Sequence, residues 1–236
     1  MAYRHLLFDL DRTLWDFDGN ALQTFARMFD HYHIRELCHT DLDTFHRIYH
    51  TINESLWEAY RNGTTTKETL RVKRFSLTLE HFNAPHSIIG MLAGQMSEYY
   101  ISQNTLMTGL MPGAKELLEY LNGKGCYTMS IITNGFREAQ LPKMNHSGLN
   151  QYFKQIFLSE EIGYQKPDRR FFGTVLARLH ADADECIVIG DDFKVDIQGA
   201  YECGIDQIYY NVNATKVRDI TPTHEVSSLL LIKEIL

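Results

Sequence analysis

The sequence predicts an α/β protein, a doubly wound parallel sheet with a four-helix segment inserted after its first strand. Two patterns carry this reading. Short apolar runs with strand character at 6–8, 127–132, 155–158, 186–189 and 208–210 are set apart by turn residues and, after the second run, alternate with helical periodicity. Such alternation implies a parallel sheet, because right-handed crossovers need the helices. The other pattern is the stretch from 17 to 104, where only helical spacing is found and no strand interrupts. The simplest assembly keeps the first strand in the common sheet. Residues 1–16 and 105–236 then form an α/β core, and 17–104 form a helical domain.

Leu6-Leu7-Phe8 opens the chain as a buried strand, and Leu14-Trp15-Asp16-Phe17-Asp18-Gly19 follows as a turn or flap. Leu22, Phe25, Ala26, Phe29 and Tyr32 then recur at helical spacing. A second stripe runs Leu42, Phe45, Ile48, Tyr49, Ile52 and Leu56, with Asn62-Gly63 as its stop. Thr65 and Glu68 read as a capping box that opens a third helix, along Val72, Phe75, Leu79 and Phe82. After the breaker Asn83-Ala84-Pro85, Ser87 is the expected cap of a fourth, through Ile88, Ile89, Leu92, Met96 and Tyr99. Short connections favour antiparallel neighbours. Pro112-Gly113 starts a helix ending near Asn122-Gly123, and the strand 127–132 stops at Thr133-Asn134-Gly135. The next helix contains Pro142. Asp168 is the expected cap of the helix bearing Phe171, Phe172, Val175, Leu176 and Leu179. The strand Cys186-Ile187-Val188-Ile189 stops at Gly190-Asp191-Asp192, a helix follows to about Cys203 with Gly204 as its stop, and Leu229–Leu236 reads as a small closing helix.

The 236 residues are 44% hydrophobic and 22% charged, an ordinary globular composition. The net charge of −7 argues against a nucleic-acid-binding surface, which would be basic. No apolar run approaches membrane-spanning length, and no signal-peptide pattern precedes the first strand. Cys38, Cys126, Cys186 and Cys203 are scattered without a CxxC, so a reducing cytoplasm without structural disulfides is expected.

The chemistry gathers where the strands end, the edge at which parallel sheets bind ligands. Asp9, Asp11 and Thr13 follow the first strand. In an extended segment, residues i and i+2 point to the same side, so Asp9 and Asp11 are adjacent like charges. A shared metal, shared protonation chemistry, or both would relieve them. Thr133, Asn134 and Gly135 follow the second strand, Lys166-Pro167 precedes a helix, and Asp191, Asp192 and Asp196 follow the fourth strand. A carboxylate cluster with oxygen-only ligands suits Mg²⁺. Mg²⁺, Lys166 and the backbone amides of 133–135 would make a local anion site in an acidic protein. Such a site suits phosphoryl transfer, with a carboxylate as nucleophile and its neighbour as acid and base.

The set Asp9-x-Asp11-x-Thr13, Thr133-Asn134-Gly135, Lys166-Pro167 and Gly190-Asp191-Asp192-x-x-x-Asp196 resembles the haloacid dehalogenase (HAD) superfamily. Ser159-Glu160-Glu161-x-Gly163-x-x-Lys166-Pro167 and Met111-Pro112-Gly113 add to the likeness. The resemblance implies a Rossmann-like core with a helical cap of the first subclass. It implies Asp9 as nucleophile and metal ligand, and Asp11 as general acid/base with its carbonyl on the metal. Thr133 and Lys166 would hold the phosphoryl group and Asp191 would ligate Mg²⁺, with Asp192 or Asp196 in support. Dehalogenases of the superfamily lack the second Asp, so Asp11 points to a phosphatase. Leu56-Trp57-x-x-Tyr60-x-Asn62-Gly63 with Thr133-Asn134-Gly135-Phe136 is similar to bacterial pyrimidine 5′-nucleotidases, which puts a nucleoside monophosphate first among small phosphorylated substrates. A phosphomutase on the same scaffold is the alternative, and a catalytically idle HAD-like binding protein is the alternative from another class. A receiver domain is excluded by its motif order and length.

Other residues read as structural. Trp57 and Tyr60 are expected to pack. His31, His33, His39, His46 and His50 are expected on solvated helices, and Arg71, Lys73 and Arg74 on a charged outer face.

Overall fold

The apolar runs pair into one six-stranded sheet in the computed structural model, which describes residues 3–215 and 219–236. The strands are β1 (His5–Phe8), β2 (Thr128–Thr133), β3 (Gln155–Leu158), β4 (Cys186–Gly190), β5 (Asp206–Tyr210) and β6 (His224–Val226). All neighbours are parallel and the order is β3-β2-β1-β4-β5-β6. The sixth strand escapes the sequence reading, because three residues at a sheet edge are too short to show a period.

β1 sits between β2 and β4, with Phe8 level with Ile131 on one side and Ile189 on the other. Leu6, Leu7 and Phe8 are fully buried, as expected for a strand covered on both faces. From β1 the strand order grows outward in both directions, so the crevice beside its C-terminal end is a topological switch point. The register therefore brings the segments after β1, β2 and β4 to one place.

The chain divides into two compact units, Met1–Phe17 with Thr108–Leu236, and Asp18–Met107. The second unit is helical, from α1 (Phe17–His31, whose first residue belongs to the other unit) through α2 (Ile34–Cys38), α3 (Leu42–Arg61) and α4 (Lys67–His81) to α5 (His86–Asn104). The four expected helices are present, and the one-turn α2 joins them. His33 (φ 51°) and His39 (φ 48°) bracket it in left-handed conformations, and five residues cannot display a helical stripe. Phe25, Phe45, Tyr49, Phe75 and Tyr100 build the aromatic centre of this unit, with the Phe25 and Tyr49 ring centroids 4.4 Å apart.

Three local expectations change here. The cap of α4 is Thr66, which accepts from the Thr69 amide at 3.2 Å, in place of Thr65. Helix α5 starts at His86 after Pro85, so Ser87 is already inside it and caps nothing. Arg74 is not on an outer face. It is 7% exposed, its guanidinium carbon lies 4.9 Å from the Tyr100 ring centroid, and its Nη1 is 3.4 Å from Asn53 Oδ1. The aromatic centre provides a face on which a planar cation can stack. Trp57 and Tyr60 pack edge to face at 5.8 Å.

In the α/β unit the helices are α6 (Ala114–Lys124), α7 (Arg137–His146), α8 (Ser159–Ile162), α9 (Arg169–Leu179) and α10 (Gly199–Glu202). Asp168 caps α9 as expected, accepting from the Arg170 amide at 2.8 Å. The apolar face of α9, with Phe171, Phe172 and Val175, packs in one core with Leu7, Ile132 and Val188. Between β4 and α10 the chain makes a wide π-type turn, Phe193–Gln198, and a 3₁₀ helix, Leu229–Glu234, closes the chain. Among the described residues no helix is long and apolar enough to cross a membrane.

Candidate active site

The first carboxylate is set by the strand that precedes it. The Asp9 amide donates to the Ile189 carbonyl at 2.9 Å, which extends the ladder with β4 by one residue. Arg12, at φ 68°, then turns the chain, and its amide donates to the Trp15 carbonyl at 2.8 Å. Inside this turn Thr13 Oγ1 lies 3.1 Å from both Asp191 Oδ1 and the Asp191 amide, joining the ends of β1 and β4.

Lys166 is the centre of charge. Its side chain is 1% exposed, and its Nζ donates to Asp9 Oδ1 at 2.7 Å, Asp196 Oδ1 at 2.6 Å and the Ile132 carbonyl at 2.9 Å. Three partners satisfy its three donors. The Asn134 side chain holds the Lys166 backbone from both sides, accepting from its amide and donating to its carbonyl, each at 2.9 Å. Thr133 Oγ1 accepts from the Gly135 amide at 3.0 Å. Asp192 caps the wide turn, where its Oδ1 accepts from the Lys194 and Val195 amides at 3.0 and 2.9 Å. That turn carries Asp196 back to Lys166.

Ligand atoms of Asp9, Asp191 and Asp196 all lie within 4.8 Å of one another. Burial, and then the Asp9 and Asp196 charges, hold Asp191 well above the usual carboxylate range. Burial also pushes Asp9 and Asp196 up, against the opposing pull of Lys166. Burial draws the Lys166 ammonium down, but Asp196 and Asp9 outweigh it and hold the charge on. Two of these carboxylates, Asp9 and Asp196, are buried and share the Lys166 ammonium, while the half-buried Asp191 feels the pull of Arg12. Hard oxygen donors, like charge and dry surroundings fit a divalent cation of the Mg²⁺ type.

Asp11 lies beside this trio. Its Oδ1 accepts from Lys143 Nζ at 2.7 Å and its Oδ2 from Gln140 Nε2 at 2.8 Å. Gln140 also donates to Thr133 Oγ1 at 2.9 Å.

The chain as a whole has known relatives. Residues 6–210 match the family described as haloacid dehalogenase-like hydrolase. The chain belongs to that family. It is therefore an HAD-like hydrolase, as the resemblance implied. It is 31% identical to the HAD-hydrolase YfnB of Bacillus subtilis, covering 96% of this chain and 92% of that one. The solved structure of YfnB bound to magnesium superposes with a TM-score of 0.88 at 29% identity, covering 100% of this chain and 99% of that one. The pyrimidine 5′-nucleotidase PynA of Streptococcus pneumoniae is 32% identical over 97% of this chain and 92% of its own length. The pyrimidine 5′-nucleotidase YjjG of Escherichia coli is 30% identical over 100% and 99%.

Every site residue read from the sequence of this HAD-like hydrolase lies at the one sheet edge, although their parts differ. Asp9, Asp191, Asp196 and Lys166 form the charged centre. Asp11 and Thr133 flank it. Asn134 and Asp192 contribute through the backbone groups they hold in place. Gln140 and Lys143 were not found from the sequence. They lie three residues apart on the helix after Thr133-Asn134-Gly135, and that spacing on one helix face was the available signal.

Proposed function

We propose that this chain is a Mg²⁺-dependent phosphatase, cleaving a small phosphate monoester through an aspartyl-phosphate on Asp9. The observation that carries the reading is the pairing of Asp9 with Lys166 Nζ at 2.7 Å, with a second carboxylate, Asp11, two residues on. A group whose charge is held by a buried ammonium stays a nucleophile, and Asp11 supplies what a dehalogenase would not need.

The first half begins with attack of an Asp9 oxygen on phosphorus. The ester P–O bond breaks, its electron pair leaves with the alcohol oxygen, and that oxygen takes a proton from the Asp11 carboxyl. In the second half a water oxygen bonds to phosphorus and gives its proton to Asp11. The bond from phosphorus to Asp9 then breaks and its electron pair returns to Asp9. Thr133 would hold the phosphoryl oxygens with the backbone amides at 133–135, joined by Lys166 when its ammonium exchanges one of its three present contacts for a phosphoryl oxygen. Asp9, the Asp11 carbonyl and Asp191 would hold the Mg²⁺, with Asp192 and Asp196 in support. When bound, the ion neutralises carboxylate and phosphoryl charge. In this reading residues 17–104 are the cap domain, and 1–16 with 105–236 are the core domain.

The nucleotidase relatives make a nucleoside 5′-monophosphate the first substrate to try. A phosphomutase would use the same groups, and phosphate release without a bisphosphate activator separates the two. The test is a release assay across nucleoside monophosphates, sugar phosphates and short organic phosphates with MgCl₂. Asp9→Asn is expected to abolish turnover of p-nitrophenyl phosphate while circular dichroism stays unchanged. Undiminished turnover in that variant would exclude the mechanism.

A further inference from the structure

We propose that Lys143 and Gln140 are positioning residues for Asp11, orienting its carboxylate for the water-activating half of the reaction. This rests on the phosphatase reading above. The two residues lie three apart on α7, so they present to one face. Lys143 is 4% exposed and Gln140 fully buried. Each takes a different oxygen of Asp11, Lys143 Nζ on Oδ1 at 2.7 Å and Gln140 Nε2 on Oδ2 at 2.8 Å. One donor alone would leave the carboxylate free to rotate about its last bond. Two donors on opposite oxygens hold its plane.

Both donors are themselves fixed. The Lys143 ammonium lies 4.2 Å from the ring centroid of Trp15, which is fully buried, and 5.4 Å from that of Phe17. An ammonium over indole is a favourable cation–π placement. The Gln140 amide also donates to Thr133 Oγ1 at 2.9 Å, so Asp11 and Thr133 are tied to one side chain. Gly135 leaves room for this tie, since a Cβ there would lie 1.9 Å from Gln140 Nε2. A lysine drawn out of water to meet one carboxylate is a costly way to pack a helix, and an apolar side chain would do that better. A base oriented by a further hydrogen-bonded group is the arrangement general-base catalysis requires.

The half-reaction affected follows from the protons. With both oxygens accepting, the clamp grips Asp11 as a carboxylate, and the remaining lone pairs can take a proton. That is the form needed when water attacks the aspartyl-phosphate. With p-nitrophenyl phosphate the departing phenolate is stable without a proton, so the first half depends little on Asp11. Loss of the clamp therefore slows hydrolysis of the phosphoenzyme and spares its formation.

Rapid-mixing kinetics with p-nitrophenyl phosphate and MgCl₂ test this on the full chain. Lys143→Met is expected to lower kcat on the order of 100-fold, the cost of a misplaced reacting group. KM falls with it, kcat/KM holds, and a burst of p-nitrophenol marks the accumulating phosphoenzyme. Lys143→Arg restores most of kcat, and Gln140→Leu shifts kcat in the same direction as Lys143→Met. Circular dichroism reports whether each variant is folded. A parallel fall of kcat and kcat/KM without a burst in folded Lys143→Met would overturn the assignment, as would an unchanged kcat. If the wild-type chain releases no more p-nitrophenol than Asp9→Asn, the phosphatase reading fails and this assignment falls with it.

Discussion

Lys166 shows how much of this site depends on single contacts. Its ammonium, almost fully buried, sits on two of the three clustered carboxylates and on a carbonyl. Removing one partner of such a buried group costs about 3–5 kcal/mol, because the other charges are left uncompensated. Gly190 protects the arrangement from behind. A Cβ at this position would lie 2.4 Å from Asp196 Oδ2 and 2.6 Å from Asp196 Cγ, a clash that only a shift of Asp196 relieves. Gly190→Ala is therefore expected to push Asp196 off Lys166 and to destabilise the fold by about 1–3 kcal/mol, the usual cost of overpacking. Denaturant titration measures the loss, and unaltered stability with unaltered turnover would show that Asp196 moves freely.

Helix ends and helix faces carry separate, smaller consequences. Thr66 caps α4, so Thr66→Ala is expected to cost about 1 kcal/mol in urea unfolding, while Thr65→Ala changes little. An equal effect of the two would put the cap elsewhere. On α3, His46 packs 4.9 Å from the Phe25 ring. Burial, and then the neighbouring His50, hold its imidazole below the ordinary 6.5, while Asp18 and Asp43 pull the other way. Well above pH 6.5 His46 is neutral in both folded and unfolded chains and contributes no pH dependence. As the pH falls through 6.5 the unfolded chain takes the proton first, so stability is lost until the lower folded value is passed. His46→Gln should lose less stability than the wild type between pH 7.5 and 5. Equal losses in urea midpoints would assign the pH dependence to other groups. The wide turn after β4 acts in a different way. It lets Asp192 cap the start while Asp196 returns to Lys166, and turns of this type recur at functional sites.

Taken as one molecule, the chain is acidic, with a net charge of −7, and is proposed to bind an anion. A cation held between Asp9 and Asp191 would reconcile the two. Binding to the folded state alone stabilises it, by about 2.7 kcal/mol when the ion is at a hundred times its Kd. MgCl₂ is expected to raise the Tm, EDTA to reverse the rise, and Asp191→Asn to abolish it. A rise that survives in Asp191→Asn would move the ion away from this trio. The sheet order supports the same reading, since β1 lies between β2 and β4 and the groups meet where the direction of winding changes.

Much of this was legible before folding. The alternation of apolar runs with helical spacing is a local signal, and it carried five strands, the parallel sheet and the long helices. The order of Asp9, Asp11, Thr133, Lys166 and Asp191 along the chain carried the family, because four of them stand at or just past strand ends marked by turn residues and Lys166 stands just before a helix. Short elements were not legible. β6 and α2 span fewer residues than a period needs, and Thr65 and Thr66 are adjacent candidates between which only backbone geometry chooses. Partnership was not legible either. Arg74 reads as a charge on an outer face and Lys143 belongs to no motif, yet the first stacks among aromatic rings and the second meets Asp11 over Trp15. A helix pattern says which residues share a face. It does not say what that face meets, since contacts across 132 positions, as between Asp11 and Lys143, form only when the chain is packed.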